Sequence, residues 1–327
     1  MTHYAPVIAA FVSMMLTFIL LYSKTGQAIQ DIPNNRSLHV EPTSRVGGVG
    51  LIAGILSGWA LMLKSLAWWV VLPLLLLFAV SLVDDARGLS VKQRLLAHAV
   101  AAAILVYGSG LAAQNLVLAA IVLLAAVWMT DLFNFMDGSD GLAAGMAFFG
   151  FSAYGAAAVM SGDMIQAMLN FSIGAAALGF LYHNFYPAKV FMGDAGSIPL
   201  GFLAAAMGVW GWKLGHWPAW FPLLAFLPFI ADATVTLIKR SIRGAKITEA
   251  HREHYYQRLV RMGWGHRNVA LAGYALMLAS AVSALWTMHH VRTLPWMALA
   301  WLAVYLILML VVDARWRAYR REQHDSA

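Results

Sequence analysis

Residues 116–142 read LVLAAIVLLAAVWMTDLFNFMDGSDGL. No charge occurs from Leu116 to Thr130, and then Asp131, Asp137 and Asp140 follow within ten residues that contain no Lys or Arg. Crossing a bilayer core takes about 20 mainly apolar residues, and about 17 suffice when the ends are polar. The first half of the stretch therefore reads as a membrane span. The second half reads as an acidic segment leaving the membrane.

Outward from this stretch the pattern repeats. Eleven candidate spans fall at 4–22, 47–63, 66–83, 95–110, 116–130, 141–160, 164–182, 198–212, 217–238, 268–288 and 294–312. The expected fold is an all-α polytopic membrane protein, one integral membrane domain over residues 1–327. Composition agrees: 61% of the 327 residues are hydrophobic, 11% are charged and mean hydropathy is +0.70, whereas soluble domains carry about 25% charged residues. Residues 1–6 contain no Lys or Arg, and no small-residue cleavage site follows Tyr22. The N-terminal run is thus expected to be the first span and not a cleaved signal. With no cysteine in the chain, disulfides and thiolate metal sites are excluded.

Eleven spans place alternate loops on opposite sides. Of the 22 Lys and Arg, 19 fall in the set formed by 24–46, 84–94, 131–140, 183–197, 239–267 and the tail after Val312. That asymmetry marks the set as cytoplasmic. It also accounts for the net charge of +7 without nucleic acid as a partner. Thirteen of the 15 acids share this side, Asp163 and Asp232 being the exceptions. Asp163 reads as an outer turn residue. Asp232 lies inside a span and is expected to line the cytoplasmic cavity, since a buried membrane carboxylate needs a cavity or a partner.

The polar segments on that face carry the chemistry. Asp84-Asp85 closes the third span, where adjacent carboxylates repel and invite a cation; a charged helix stop is the plain alternative. Asn134, Asp137 and Asp140 are spaced by three, which on a helical turn would set them on nearly one face. The stretch 184–197 ends in Gly193-Asp194-Ala195-Gly196-Ser197, a turn entering a helix whose free N–H groups attract anions; Asp194 suits Mg²⁺, which takes one or two protein carboxylates plus phosphate and water. His251, Arg252, His254, Arg258, Arg261 and His266 fall in the longest polar loop and suit phosphate better than zinc. Arg36, His39 and Arg45 are phosphate-compatible residues of the first loop. Gly47, Gly48 and Gly50 follow no strand, so helix packing is the expected reason for them and not a dinucleotide fingerprint. Carboxylates for a hard cation and cations for phosphates, gathered on one face, suit phosphoryl transfer.

Taken together, Asn35-Arg36-Ser37-Leu38-His39 with Pro42-Thr43-Ser44-Arg45, Asp84-Asp85, Asn134 to Gly141, Val190 to Ser197, and Ala250-His251-Arg252-Glu253-His254 resemble the polyprenyl-phosphate N-acetylhexosamine-1-phosphate transferases. This is glycosyltransferase family 4, related to the phospho-MurNAc-pentapeptide translocase. The motifs occur in family order over nearly the whole chain. The resemblance implies an enzyme of the bacterial inner membrane, active at its cytoplasmic face. It would move N-acetylhexosamine-1-phosphate from a UDP-sugar to undecaprenyl phosphate, releasing UMP, with Mg²⁺ as cofactor and Mn²⁺ as a substitute. It also implies roles. Asp194 would be a metal ligand with Asn184 beside it. Asn134, Asp137 and Asp140 would belong to the nucleotide and catalytic site. Asp84 and Asp85 would serve the carrier phosphate, one of them as base. His251, Arg252 and His254 would meet the donor diphosphate, with Arg36 and Arg45 as further substrate contacts. A homodimer is a further expectation from membrane relatives. The form His251-Arg252-Glu253-His254-Tyr255-Tyr256-Gln257-Arg258 departs from the triple-His signature of the translocase and looks like the branch that initiates O-antigen, with UDP-GlcNAc, UDP-FucNAc or UDP-QuiNAc as donors.

Direct attack by the carrier phosphate on the donor β-phosphorus and a double displacement through an aspartyl phosphate both fit these residues. A transporter or flippase of anionic lipid-linked substrates is the alternative of another class; it would call for charges along a through-membrane path, and Asp232 is the one acid well inside a span.

Overall fold

The computed structural model describes residues 1–33, 38–39, 41–246, 249 and 251–325. Arg36, with Asn34, Asn35, Ser37 and Ala250 of the motifs above, lies outside the described residues. The helices are α1 (Ala5–Leu21), α2 (Lys24–Ala28), α3 (Gly47–Trp59), α4 (Trp68–Arg87), α5 (Val91–Gly108), α6 (Leu111–Gln114), α7 (Leu116–Phe135), α8 (Leu142–Met160), α9 (Met164–Asn184), α10 (Asp194–Lys213), α11 (Phe221–Ala225), α12 (Leu227–Ile242), α13 (Tyr255–Leu259), α14 (Gly265–His289) and α15 (Leu294–Asp325). Among the described residues, β structure is confined to a pair of two-residue strands, β1 (Gln30–Asp31) and β2 (Thr43–Ser44), paired antiparallel, and a parallel bridge between Ser44 and Val190.

Among the described residues nine helical stretches are long and apolar enough to cross a membrane. The two remaining expected spans differ for physical reasons. The 95–110 span is α5, whose 18 residues begin four positions earlier, capped by Ser90 with Gln93, and so include Lys92 and Arg94. The 217–238 span is broken at Phe226 into α11 and α12. Pro228 has no N–H to continue the ladder and its ring crowds the preceding turn.

Small residues let the first helices close. On α3, Gly50, Gly54 and Gly58 recur every fourth residue against α1: a Cβ at Gly54 would stand 2.5 Å from the Ala9 carbonyl, and one at Gly58 2.8 Å from that of Ala5. This is the small-residue packing by which helices associate where lipid gives no hydrophobic drive. At Gly48 a Cβ would come within 2.4 Å of the Gly196 nitrogen, so the glycines at the head of α3 serve packing, as expected. Helix α10 is the most enclosed of the nine stretches and lies against α4 and α7.

The polar ends of α4, α7, α9 and α12 and the starts of α3, α5, α10 and α14 meet at one end of the bundle. There β2 pairs with the 190–192 segment: Phe191 N–H donates to the Ser44 carbonyl at 2.7 Å, and Gly47 and Gly48 N–H donate to the Phe191 and Met192 carbonyls. This stitching brings the first loop against the turn that opens α10.

Candidate active site

The centre of the site is the start of α10. Gly193 adopts φ +66°, where a Cβ would also collide with the Asp85 carboxylate and the Arg45 carbonyl, so this sharp turn needs glycine. It delivers Asp194 as the first residue of the helix. Asn134, on the last turn of α7, donates from Nδ2 to Asp194 Oδ1 at 2.9 Å. Asp85 accepts from the N–H groups of Asp194 at 3.1 Å and Ala195 at 2.9 Å, taking the free amides of the helix N-terminus that an anion would otherwise occupy. Asp84 accepts from Leu89 N–H at 2.6 Å, closing the turn behind α4. Both members of the acid pair thus have structural work.

Asn134, Asp137 and Asp140 do not share a helical turn. Helix α7 ends at Phe135, whose carbonyl is taken by the Tyr256 hydroxyl at 2.9 Å. Gly141 then reverses the chain at φ +72°, held by Asn184 through its N–H and by the Tyr274 hydroxyl at its carbonyl. Even so, all three line one cleft of about 310 Å³, with Asn184, Asp194, Arg45, His39, Phe191, His251 and His266. Asp140 accepts from Ala188 N–H at 3.0 Å and stands 3.5 Å from His266 Nδ1. Asn184 is engaged at both ends, accepting from Gly141 and donating to the Val190 carbonyl, so it braces the two loops. Among the described residues no hydrogen bond or ion pair holds the Asp137 carboxylate. Burial, and the nearby charges of Asp194 and Asp85, push its pKa well above the ordinary carboxylate range.

Cationic groups frame the acids. Arg45 pairs with Asp31 at 2.6 Å, 3.8 Å from His39 to the same acid. Arg94, singled out by nothing in the motif reading, stands 3.5 Å from Asp84 and 3.6 Å from Asp194. Its signal was its position four residues after Ser90, one turn into a helix whose start faces the acid pair. His251 borders the cleft; burial and the neighbouring His254 and Arg240 hold its pKa down to about 4. Arg252 is not among the cleft-lining residues. Nor is His254, which packs between Phe135 and Tyr256 with its Nδ1 3.3 Å from Asp232.

Asp232 does not line the cleft. Its carboxylate accepts from Tyr255 and Tyr256 N–H at 2.9 and 3.0 Å, fastening the start of α13 to α12. Around it Arg240 and Arg243 grip Glu253, while Arg258 and Lys239 grip Asp313 of α15. The buried span acid borders a separate, mainly apolar cavity of about 230 Å³ and not the cleft, and it fixes the loop that carries the histidines.

Two carboxylates line the cleft, Asp137 with no hydrogen-bond or ion-pair partner among the described residues and Asp194 held by Asn134 and facing Arg94, and the described residues contain no ready cluster of three protein ligands. A hard cation that takes one or two carboxylates and completes its shell with phosphate and water fits that donor set.

A model of glycosyl transferase family 4 matches residues 67–211, a span that holds Asp84, Asp85, Arg94, Asn134, Asp137, Asp140, Asn184 and Asp194. The chain is 26% identical over 332 residues to a probable undecaprenyl-phosphate N-acetylglucosaminyl 1-phosphate transferase of Bacillus subtilis, covering 94% of this chain and 89% of the relative. It is 28% identical over 288 residues to a decaprenyl-phosphate N-acetylglucosaminephosphotransferase of Mycolicibacterium smegmatis, covering 74% and 71%. It is 29% identical over 277 residues to a phospho-N-acetylmuramoyl-pentapeptide-transferase of Levilactobacillus brevis, covering 75% and 84%. With a bundle of membrane helices gathering the motif residues around one acidic cleft, the chain is similar to glycosyl transferase family 4 over residues 67–211.

Proposed function

We propose that the protein transfers an N-acetylhexosamine-1-phosphate from a UDP-sugar to undecaprenyl phosphate, giving undecaprenyl-diphospho-sugar and UMP. The observation that carries this is the unpartnered Asp137 carboxylate facing Asp194 across a cleft framed by Arg45, His251 and Arg94. Relatives named as polyprenyl-phosphate sugar-phosphate transferases support it. The 19-to-3 division of Lys and Arg supports eleven spans with the cleft at the cytoplasmic face of a bacterial inner membrane. The departure of 251–258 from a triple-His form favours a GlcNAc, FucNAc or QuiNAc donor and a product that starts a surface polysaccharide such as O-antigen.

In this reading Asp194 and Asp137 would hold Mg²⁺, which supplies charge neutralisation for the donor diphosphate. The chain's own residues do the rest. Asn134 fixes one oxygen of Asp194. Asp85 locks the helix start beneath it, so the carboxylate does not reorganise during the reaction. Arg45 and His251 border the donor's path. Arg94, between Asp84 and Asp194, offers a guanidinium to a second phosphate. Asp85 spends both oxygens on backbone N–H groups and Asp84 spends one, its Oδ2 facing Arg94 at 3.5 Å; the carrier phosphate attacks as the anion it already is at neutral pH, and no strong base is required. The β-phosphorus–oxygen bond to the acceptor forms as the bond to UMP breaks.

The test is UMP release by purified protein from UDP-GlcNAc, UDP-GalNAc and 6-deoxy donors with undecaprenyl phosphate, with and without Mg²⁺, beside Asp194→Asn. Release that requires both carrier and Mg²⁺ and vanishes in the variant is expected. Folded protein that turns over no donor and binds neither UDP nor Mg²⁺ would overturn the reading. A phosphorylated aspartate trapped from donor without acceptor would replace direct attack by double displacement.

A further inference from the structure

A second chamber of about 360 Å³ adjoins the cleft and shares Asn134, His251 and Gln257 with it. Its lining is mixed. Leu95, Trp128, Phe135, Ile198 and Leu237 are apolar and belong to α5, α7, α10 and α12. Among them stand Arg94 and His98, four residues apart on α5 and therefore one above the other. An apolar lining that holds two nitrogenous heads suits an amphiphile with an anionic end.

His98 is 5% exposed, and its Nδ1 stands 2.8 Å from Asp131 Oδ1 on α7. Ionisable groups within membrane helices are expensive to bury and face a cavity, a partner or both. This pair does both, because His98 and Asp131 each line the chamber. With Nδ1 turned to the carboxylate, Nε2 is the ring atom left over, and among the described residues no group takes it. Glu249, also on the lining, is exposed and does not compete for the imidazole. The guanidinium of Arg94 reaches from the same helix face to within 3.6 Å of Asp194. A phosphate held between Arg94 and His98 would therefore stand beside the donor's reacting end.

We propose that His98, oriented by Asp131, binds the phosphate of the lipid acceptor through Nε2, with Arg94 beside it and the prenyl chain running out along the apolar residues of the lining. The inference rests on the acceptor being a polyprenyl phosphate, as proposed above. The hydrogen between Nε2 and the phosphate comes from either side. An imidazolium donates it to the dianion, and a monoanion's P–OH donates it to the neutral ring. In both cases Nδ1 stays beside the Asp131 carboxylate, 2.8 Å away.

The competing explanation is that the pair only clamps α5 to α7. The experiment separates the two by measuring binding of farnesyl phosphate, farnesol and UDP-GlcNAc to the full-length protein in nanodiscs, beside His98→Ala, His98→Gln and Asp131→Asn. His98→Ala is expected to weaken farnesyl phosphate about 10- to 100-fold, the loss of one charge-assisted hydrogen bond, while farnesol and UDP-GlcNAc change less than about twofold. His98→Gln, which keeps a polar atom near the same place, is expected to recover part of the loss, and Asp131→Asn to show the same selectivity at smaller size. Unchanged farnesyl phosphate binding in His98→Ala would overturn the proposal. So would a loss shared equally by all three ligands with a lowered melting temperature that His98→Gln restores, which is the clamp. Wild-type protein that does not bind farnesyl phosphate would also overturn it. If binding depends on His98 yet the wild type releases no UMP, the acceptor site stands and the transferase reading falls. If the wild type turns over and the variants bind acceptor normally, the reverse holds.

Discussion

Asp85, near the end of α4, and Ala195, in the first turn of α10, are joined by a 2.9 Å hydrogen bond from the Ala195 N–H to the Asp85 carboxylate, across 110 positions of sequence. The acid thereby acts as a helix cap supplied from another helix. Removing a capping side chain costs about 1 kcal/mol, and up to about 2 in a buried setting. Asp85→Ala is expected to lower the melting temperature and to reduce activity by displacing Asp194. Asp85→Asn, whose amide oxygen still accepts one N–H, is expected to keep most of the stability. Thermal unfolding paired with steady-state rates checks this. A wild-type melting temperature in Asp85→Ala, with activity abolished, would return Asp85 to a direct chemical role.

Asp137 links pH, cation and stability. Its pKa in the folded protein is raised by burial and by the charges of Asp194 and Asp85. A carboxyl whose folded pKa exceeds the unfolded value of about 3.9 stabilises the fold when protonated, and that contribution is lost as pH rises through the folded pKa. Cation-free protein is therefore expected to lose thermal stability as pH rises above about 4. Mg²⁺ is expected to restore more stability at alkaline than at acid pH. Asp137→Asn should reduce the pH dependence, leaving the share carried by Asp194 and Asp85, whose pKa burial also raises, and should lose most of the Mg²⁺ response and lower kcat by at least about 100-fold. Differential scanning fluorimetry across pH, with and without Mg²⁺, is the check.

The His251 imidazole titrates near 4 in the free protein, below its ordinary value of about 6.5. As pH falls from about 6.5 towards 4 the unfolded chain takes up the proton first, so this group destabilises the fold over that window. A donor diphosphate in the cleft raises the same pKa, so binding takes up a proton. UDP-GlcNAc, whose diphosphate does not titrate in this range, is expected to bind more tightly at pH 5.5 than at pH 7.5. His251→Gln should flatten that slope; calorimetry at the two pH values would show whether it does.

Asp232 receives two backbone N–H groups at the start of α13. Asp232→Ala leaves both buried donors without an acceptor, at about 1–3 kcal/mol each. It should lower the melting temperature and weaken UDP-GlcNAc binding through the displaced 251–254 segment. Asp232→Asn, retaining one acceptor, should lose about half as much. Equal melting temperatures for wild type and Asp232→Ala would contradict the anchoring role.

What could be read from the sequence follows the physics of each level. Membrane spans announce themselves by composition, because lipid demands uninterrupted apolar helices, and α1, α7, α8 and α9 lie where their apolar runs do. Breaks depend on single residues in context, so Pro228 split a run that composition alone joined. The acids of the cleft were found because carboxylates at a membrane edge stand out against an apolar background. Their division of labour was not, because it is set by backbone groups distant in sequence: Asp85 by Ala195, Asp140 by Ala188, Asp232 by Tyr255. Arg94 and His98 escaped attention because they sit inside a helix and form no compact motif.

The central claim is that the sugar travels with one phosphate of its donor. Two labelled donors test it most directly: UDP-GlcNAc carrying ³²P at either the α- or the β-phosphorus, incubated with protein, Mg²⁺ and undecaprenyl phosphate, followed by extraction of the lipid. The β-label is predicted to move into the lipid fraction while the α-label stays in water as UMP. Both labels remaining in water as UDP, with sugar alone in the lipid, would contradict the account.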